Sequence, residues 1–308
     1  MPPASGIAPA SEGIPTRSYY LPVVFHDDLR NSPKKGLVYY PYYAPVEPRF
    51  NISWYLNYVL EPSPQLAAQR LQFIPFLWCS YPPGGDPATD MLAQAVSILG
   101  ADYAGYLLFL NEPELGGLYG QCAMTDFNVA ADFYIRTRQL LPLARLIGPH
   151  NAYDDNIKGH TFAWLNDWRE AVRAKTCAQP ELGLPCDYPQ NVAYGAHFFG
   201  ETAASNLRLA DELHAQLIEW GEAHKEIWAT EFTFCYDRAG QDQELEATVM
   251  GFEALPYVER YAFYTNRLGY NNWTPPSSSR CFLKSFLLDP ASNWRALTPL
   301  GEMYRLLP

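Results

Sequence analysis

Two glutamates in this chain stand at the same point of the same local pattern. The apolar run Gly105-Tyr106-Leu107-Leu108-Phe109-Leu110 stops abruptly at Asn111-Glu112-Pro113-Glu114, and Lys225-Glu226-Ile227-Trp228-Ala229-Thr230 closes on Glu231-Phe232. A continuous apolar run bounded by turn residues suits a strand buried on both faces of a parallel sheet. Pro113 has no N–H for a ladder and pushes Glu112 away from helical geometry, so the first strand ends with Glu112 as nearly its last residue. Two carboxyl groups held close together cannot easily both ionise; one keeps its proton and serves as an acid while the other serves as a base or nucleophile. The alternative is a pair of solvated carboxylates at strand ends, with no chemistry at all.

Those glutamates need a frame that brings distant strand ends together, and the rest of the chain reads as that frame. Strands are expected at Gly36–Tyr40, Ser53–Tyr58, Phe73–Trp78, Leu107–Asn111, Leu146–His150, Val192–His197, Ile227–Glu231 and Tyr261–Thr265. Between them lie helical patterns at Pro64–Leu71, Pro87–Leu99, Thr125–Leu141, Thr161–Lys175 and Ala203–His224, and a last helix runs over Leu297–Leu306 after Thr298-Pro299. Pro75 counts against a regular third strand, because it removes a ladder hydrogen bond. The alternation implies an α/β fold, a (β/α)8 TIM barrel with enlarged loops on the C-terminal face, where barrel enzymes carry their catalytic groups. The glutamates fall three β/α units apart and would face each other across the mouth. His197 ends the sixth strand, either as a positioning donor or as an ordinary hydrogen-bonded histidine. Period-2 alternation puts Ile227 and Ala229 on the face of Glu231 and sends Trp228 and Thr230 towards the helices.

At 308 residues the chain accommodates one barrel, expected over residues 18–308. Residues 1–17, with prolines at 2, 3, 9 and 15, read as a poorly ordered linker, left by removal of an export signal or by the choice of expressed segment. A net charge of −11 gives no basic field for nucleic acid, and no run is long and apolar enough to span a membrane. Phosphate-binding glycine loops, the Gly-x-Ser-x-Gly elbow and His-Glu-x-x-His are absent, which removes nucleotide, serine-hydrolase and zincin chemistry. Six cysteines follow strands or sit in loops. Neighbouring loops on one barrel face favour the pairs Cys79–Cys122, Cys177–Cys186 and Cys235–Cys281, the second stapling the irregular loop Thr176–Asn191, and hence an oxidising, extracellular or cell-surface setting. The alternative is free buried thiols. Aromatic residues make up 15% of the chain, a supply of flat faces for stacking on sugar rings as well as for the core.

Taken in order, Trp54-Tyr55-Leu56-Asn57, Phe73-Ile74-Pro75-Phe76-Leu77-Trp78, Asn111-Glu112-Pro113, Trp228-Ala229-Thr230-Glu231-Phe232, Arg260-Tyr261 and Leu297-Thr298-Pro299-Leu300-Gly301 resemble successive signatures of glycoside hydrolase family 128, the glycosyl hydrolase catalytic-core barrels of clan A. The resemblance runs from about Gly36 to Tyr304. It implies a retaining, endo-acting β-1,3-glucanase with Glu112 as acid/base, Glu231 as nucleophile and Asn111 on the 2-hydroxyl of the sugar. Asn57, Trp54 and His197 would join the substrate site, with Trp78, Phe199, Phe263 and Trp273 walling a long groove and Phe263 beneath the sugar at the cleavage point. Neither cofactor nor metal is implied, and a monomer binding a polysaccharide is expected. The chain departs from the pattern at Phe198-Phe199, where such enzymes often have Trp-Tyr, and at Glu114, which replaces a frequent Asp. Loss of that tyrosine implies loss of a hydrogen bond to the nucleophile. Retaining hydrolysis asks for carboxyl groups ~5–5.5 Å apart, one protonated and one ionised. The competing readings are a non-catalytic glycan-binding barrel and a clan A hydrolase acting on another β-glycan.

Overall fold

The computed structural model describes residues 32–39, 50–67, 71–79, 87–116, 122, 124–234, 240–265, 286–292 and 295–308. The residue 1–17 segment, Trp273 and the Cys235–Cys281 pair lie outside them. Nine strands are present in the described residues: β1 (Lys35–Val38), β2 (Trp54–Leu56), β3 (Gln72–Phe73), β4 (Phe76–Leu77), β5 (Tyr106–Phe109), β6 (Arg145–Tyr153), β7 (Ala193–Phe198), β8 (Glu226–Phe232) and β9 (Val258–Phe263). Every pairing is parallel, in the order β3-β2-β1-β9-β8-β7-β6-β5-β4.

The two ends of that row are one stretch of chain. Pro75 splits the expected third strand, and its first half bonds β2 while its second half bonds β5. Ile74 N–H still reaches Tyr55 O at 3.0 Å, and Pro75 O still accepts from Leu108 N–H at 3.0 Å. The missing proline donor therefore costs the ladder its regularity without opening the ring, and eight stations close into the expected barrel.

The barrel interior is filled by side chains from every station, among them Val38, Trp54, Phe76, Leu108, Ile147, Trp228 and Ala262. A second apolar layer lies between sheet and helices. The helices are α1 (Pro64–Ala67), α2 (Pro87–Leu99), α3 (Phe127–Leu140), α4 (Lys158–Ala178), α5 (Ala203–Glu219), α6 (Gln241–Ala254) and α7 (Pro299–Leu306). Asp126, one residue inside the expected Thr125–Leu141 pattern, caps α3 through Asn128 N–H. Helix α6 was not expected, although Leu245, Val249 and Phe252 form its buried stripe; its start has no side-chain cap to announce it. Helix α4 runs on through Cys177 into what reads as loop. The buried Lys35 ammonium donates to Tyr304 O and Leu307 O, tying the end of α7 to the barrel floor. Cys79–Cys122 and Cys177–Cys186 are disulfides, as expected.

The facing of β8 is the reverse of the expectation. Trp228 lies inside the barrel against Trp54 and Tyr106, whereas Ile227 and Ala229 pack in the helix-facing layer. Alternation alone cannot say which face is inner when both faces are apolar.

Candidate active site

Glu231 reaches the barrel mouth because β8 bulges at Thr230, where it carries one residue more than either neighbour locally. Ala229 and Glu231 on β8 oppose the consecutive residues Ala196 and His197 of β7, and Ala229 and Phe232 oppose Tyr261 and Phe263 of β9. Such a bulge resets the in–out alternation and re-aims a side chain. Thr230 and Glu231 thus both serve the inner side, while Phe232 returns to the outer layer.

Glu112 is aimed by a different device. Its backbone takes the left-handed conformation, φ 45° and ψ 52°, and its N–H donates to His150 O at 2.7 Å. The turn Pro113–Leu115 then carries the buried Glu114, whose two oxygens accept from Asn151 Nδ2 and Ala152 N–H, each at 2.7 Å. A glutamate held at positive φ is maintained only where its surroundings enforce it. The Glu114 clamp onto β6 supplies that enforcement.

His197 stands between the two carboxylates. Its Nδ1 lies 2.8 Å from Glu112 Oε1 and its Nε2 3.4 Å from Glu231 Oε1. One oxygen of each carboxylate and one ring nitrogen lie within 4.8 Å of one another, and all three residues are buried. Among the described residues this trio is the group able to approach a metal ion together. Each ring nitrogen faces a different carboxylate, however, Nδ1 in a hydrogen bond to Glu112 and Nε2 in a close charged contact with Glu231, whereas a coordination shell would turn one nitrogen and both carboxylates onto a common centre. Burial disfavours the imidazolium, but Glu231 and Glu112 outweigh it and raise the His197 pKa above its ordinary value. Burial raises Glu231 to about 7, opposed by His197, reinforced by Glu112 and opposed again by the Tyr58 hydroxyl. The proton belongs to the cluster as a whole.

Beneath them, His150 is fully buried, and burial together with His197 lowers its pKa well below the ordinary value. It is therefore neutral. Its Nε2 faces the Ile147 carbonyl at 3.0 Å and must donate, so Nδ1 accepts from Thr230 Oγ1 at 2.7 Å. His150 thereby joins the Glu112 backbone to the residue preceding Glu231.

The other residues singled out in the sequence divide. Asn111 adjoins Glu112, and its Oδ1 is buried without a partner among the described residues, as is the Trp78 indole N–H. Trp78 packs 6.2 Å from the ring of Tyr58. Asn57 is used internally, donating to Glu61 O at 3.1 Å. Phe199 is a buried buttress, edge-on to His197 at 6.0 Å. Trp54 and Phe263 are corrections. Trp54 is fully buried in the barrel core with its N–H on Lys34 O, and Phe263 faces the helices between Phe232 and Tyr304. Neither can touch a sugar, and Tyr264, one residue on, packs against the inner cluster. The expected loss of a hydroxyl on Glu231 is also corrected, since Tyr58 O–H donates to Glu231 Oε1. Nothing in the spacing around Tyr58 marks it out.

Residues 40–304 match the glycosyl hydrolase catalytic core family profile. No curated relative matches the sequence. Among solved structures, a family 128 subgroup II endo-β-1,3-glucanase from Pseudomonas viridiflava is 24% identical with a TM-score of 0.61, over 89% of this chain and 98% of its own. A subgroup I endo-β-1,3-glucanase mutant from Amycolatopsis mediterranei, in complex with laminaripentaose, is 21% identical with a TM-score of 0.59 over 89% and 98%. A subgroup III curdlan-specific exo-β-1,3-glucanase from Blastomyces gilchristii, in complex with glucose, is 20% identical with a TM-score of 0.60 over 90% and 99%. These likenesses establish the barrel.

Proposed function

The chain belongs to the glycosyl hydrolase catalytic core family, and from that premise we propose that it is a retaining β-1,3-glucanase with Glu112 as acid/base and Glu231 as nucleophile. The carrying observation is the short reach between the carboxylates, one oxygen of each lying within 4.8 Å of the other with a His197 ring nitrogen in the same group. Inverting enzymes need ~6.5–9.5 Å so that a water fits between carboxylate and sugar. In the first step Glu231 bonds the anomeric carbon as the glycosidic C–O bond breaks, and Glu112 gives its proton to the departing oxygen. In the second, water attacks that carbon, returns a proton to Glu112, and the electron pair goes back to the Glu231 carboxylate. Asn111 Oδ1 and the Trp78 N–H, both buried and unpartnered among the described residues, are offered to sugar hydroxyls, which would satisfy them.

The β-1,3-glucan substrate is supported by the three related glucanases, two endo-acting and one exo-acting. We propose endo action. The two disulfides fit an extracellular protein, and no helix among the described residues is long and apolar enough to cross a membrane.

Product sizing on laminarin and curdlan tests both substrate and mode; short oligomers appearing together indicate endo cleavage, and glucose alone from the outset would overturn it. The roles are tested with Glu112→Gln and Glu231→Gln, each expected to lose roughly 10³-fold or more in kcat. Azide should rescue Glu112→Gln as a β-glycosyl azide and Glu231→Gln as an α-glycosyl azide. The opposite anomers would exchange the two roles, and a fully active Glu231→Gln would end the catalytic reading.

A further inference from the structure

Phe198 and Phe199 follow His197 with no hydroxyl on either ring, yet Glu231 is not short of a hydroxyl donor. The donor comes from elsewhere in the barrel. Tyr58, just beyond β2, reaches Glu231 on β8, with β1 and β9 lying between those strands in the sheet.

The placement is built, not incidental. Tyr58 has φ 57°, a left-handed backbone that a bulky residue adopts only when its surroundings fix it. Asn57 Nδ2 donates to Glu61 O at 3.1 Å, and Phe76 N–H donates to Val59 O at 3.0 Å, so the turn is held both across itself and from β4. The ring lies stacked on Phe76 at 5.7 Å with Trp78 at its other neighbour position. Both polar partners of Glu231 among the described residues, the Tyr58 hydroxyl and His197 Nε2, converge on Oε1. Oε2 is left unclaimed by them.

Resting on the assignment of Glu231 as nucleophile, we propose that Tyr58 is its positioning residue: the hydroxyl pins Oε1, presents Oε2 to the anomeric carbon, and fills the role that Phe198 and Phe199 cannot. Oε2 forms the bond to carbon in the first step and breaks it in the second, when the electron pair returns to the carboxylate. Tyr58 stabilises that returning charge through its O–H bond and keeps its own proton throughout. Departure of Glu231 from the glycosyl-enzyme is the step that depends on it most.

Tyr58→Phe keeps the ring on Phe76 and removes only the hydroxyl. On laminarin kcat should fall about 10- to 100-fold, the rate equivalent of one hydrogen bond to a charged group. The acidic limb of the kcat/KM profile should move to higher pH, because a carboxylate that loses a donor is harder to ionise. A fluorotyrosine at position 58, which restores the donor, should recover most of the rate. With ¹³C-carboxyl-labelled glutamate, the Glu231 signal, assigned by its loss in Glu231→Gln, should titrate at higher pH in Tyr58→Phe, a readout that needs no substrate. An unchanged kcat with an unchanged acidic limb overturns the proposal. So does a uniform loss at every pH with no movement of the carboxyl titration, which is what mere loosening of the turn would give. Glu231→Gln assayed alongside separates the two levels: if it stays active the nucleophile assignment fails, whereas an inactive Glu231→Gln beside a wild-type-like Tyr58→Phe removes Tyr58 alone.

Discussion

Glu114 illustrates how a carboxyl group can matter to a site without reaching the substrate. Burial raises its pKa to about 8, backbone and Asn151 donors oppose that, and Glu112 reinforces it. Because the folded-state value lies above the ordinary 4.5, the folded protein holds a proton there that the unfolded chain has released, and stability falls as pH rises from about 4.5 to about 8. Glu231, also raised, adds a slope of the same sign. Glu114→Gln should lessen the slope without abolishing it. Its amide can satisfy both partners once Asn151 turns its unpartnered Oδ1 inward. Glu114→Ala should cost about 1–3 kcal/mol by stranding the Asn151 amide and the Ala152 N–H. Urea titrations at pH 5 and pH 8.5 measure both effects; equal slopes in wild type and Glu114→Gln would show that Glu114 is ionised throughout. At this scale the sequence discloses what sits at strand ends. Glu112, Glu231 and His197 are legible because an apolar run stops on a polar residue. Tyr58 is one of 22 tyrosines, brought to Glu231 by a left-handed turn that leaves no periodic trace.

The elements that aim these residues are irregular strands, and irregularity is what periodic reasoning cannot see. Trp54 and Phe263 lie away from the expected site because strands apolar on both faces do not announce their inner side, and β8 faces opposite to its simple alternation because the bulge at Thr230 is invisible in an apolar run. Pro75 did announce its break. In β6, a second bulge between Ile147 and His150 turns the imidazole inward, and the room it occupies exists only because position 195 of β7 is glycine. A Cβ there would stand 2.0 Å from His150 Nδ1, and the ring cannot retreat while Ile147 O and Thr230 hold both its nitrogens. Gly195→Ala should therefore destabilise by about 1–3 kcal/mol or more and lower activity through displacement of Thr230 and Glu231. Gly159→Ala, in α4 with nothing within 4 Å of the added carbon, should be neutral or slightly stabilising. Denaturation midpoints with parallel laminarin assays check the pair. A Gly195→Ala variant as stable and active as Gly159→Ala would show that His150 is not the rigid strut described.

For the molecule as a whole, ring closure passes through its weakest station. The split third strand gives only two short paired segments, β3 and β4, where the other stations give one strand each. Cys79, two residues beyond β4, is bonded to Cys122, whose N–H donates to Asn111 O at 2.8 Å. The cross-link thus holds the end of the broken station against the strand end that carries Glu112. Cys177–Cys186 instead pins the end of α4 to its own following turn, away from the glutamates. The first bridge closes 43 residues and the second 9, so the chain-entropy account gives about 2–4 kcal/mol for the first and ~1 kcal/mol less for the second. Cys79→Ala/Cys122→Ala should lower both the thermal midpoint and laminarin hydrolysis, because the mouth loses its tie at the acid/base. Cys177→Ala/Cys186→Ala should lower the midpoint by less and leave hydrolysis near wild type below the transition. Dithiothreitol on the wild type should reproduce the first result. If the two double variants lost activity equally, closure at Pro75 would not be what the Cys79–Cys122 bridge protects.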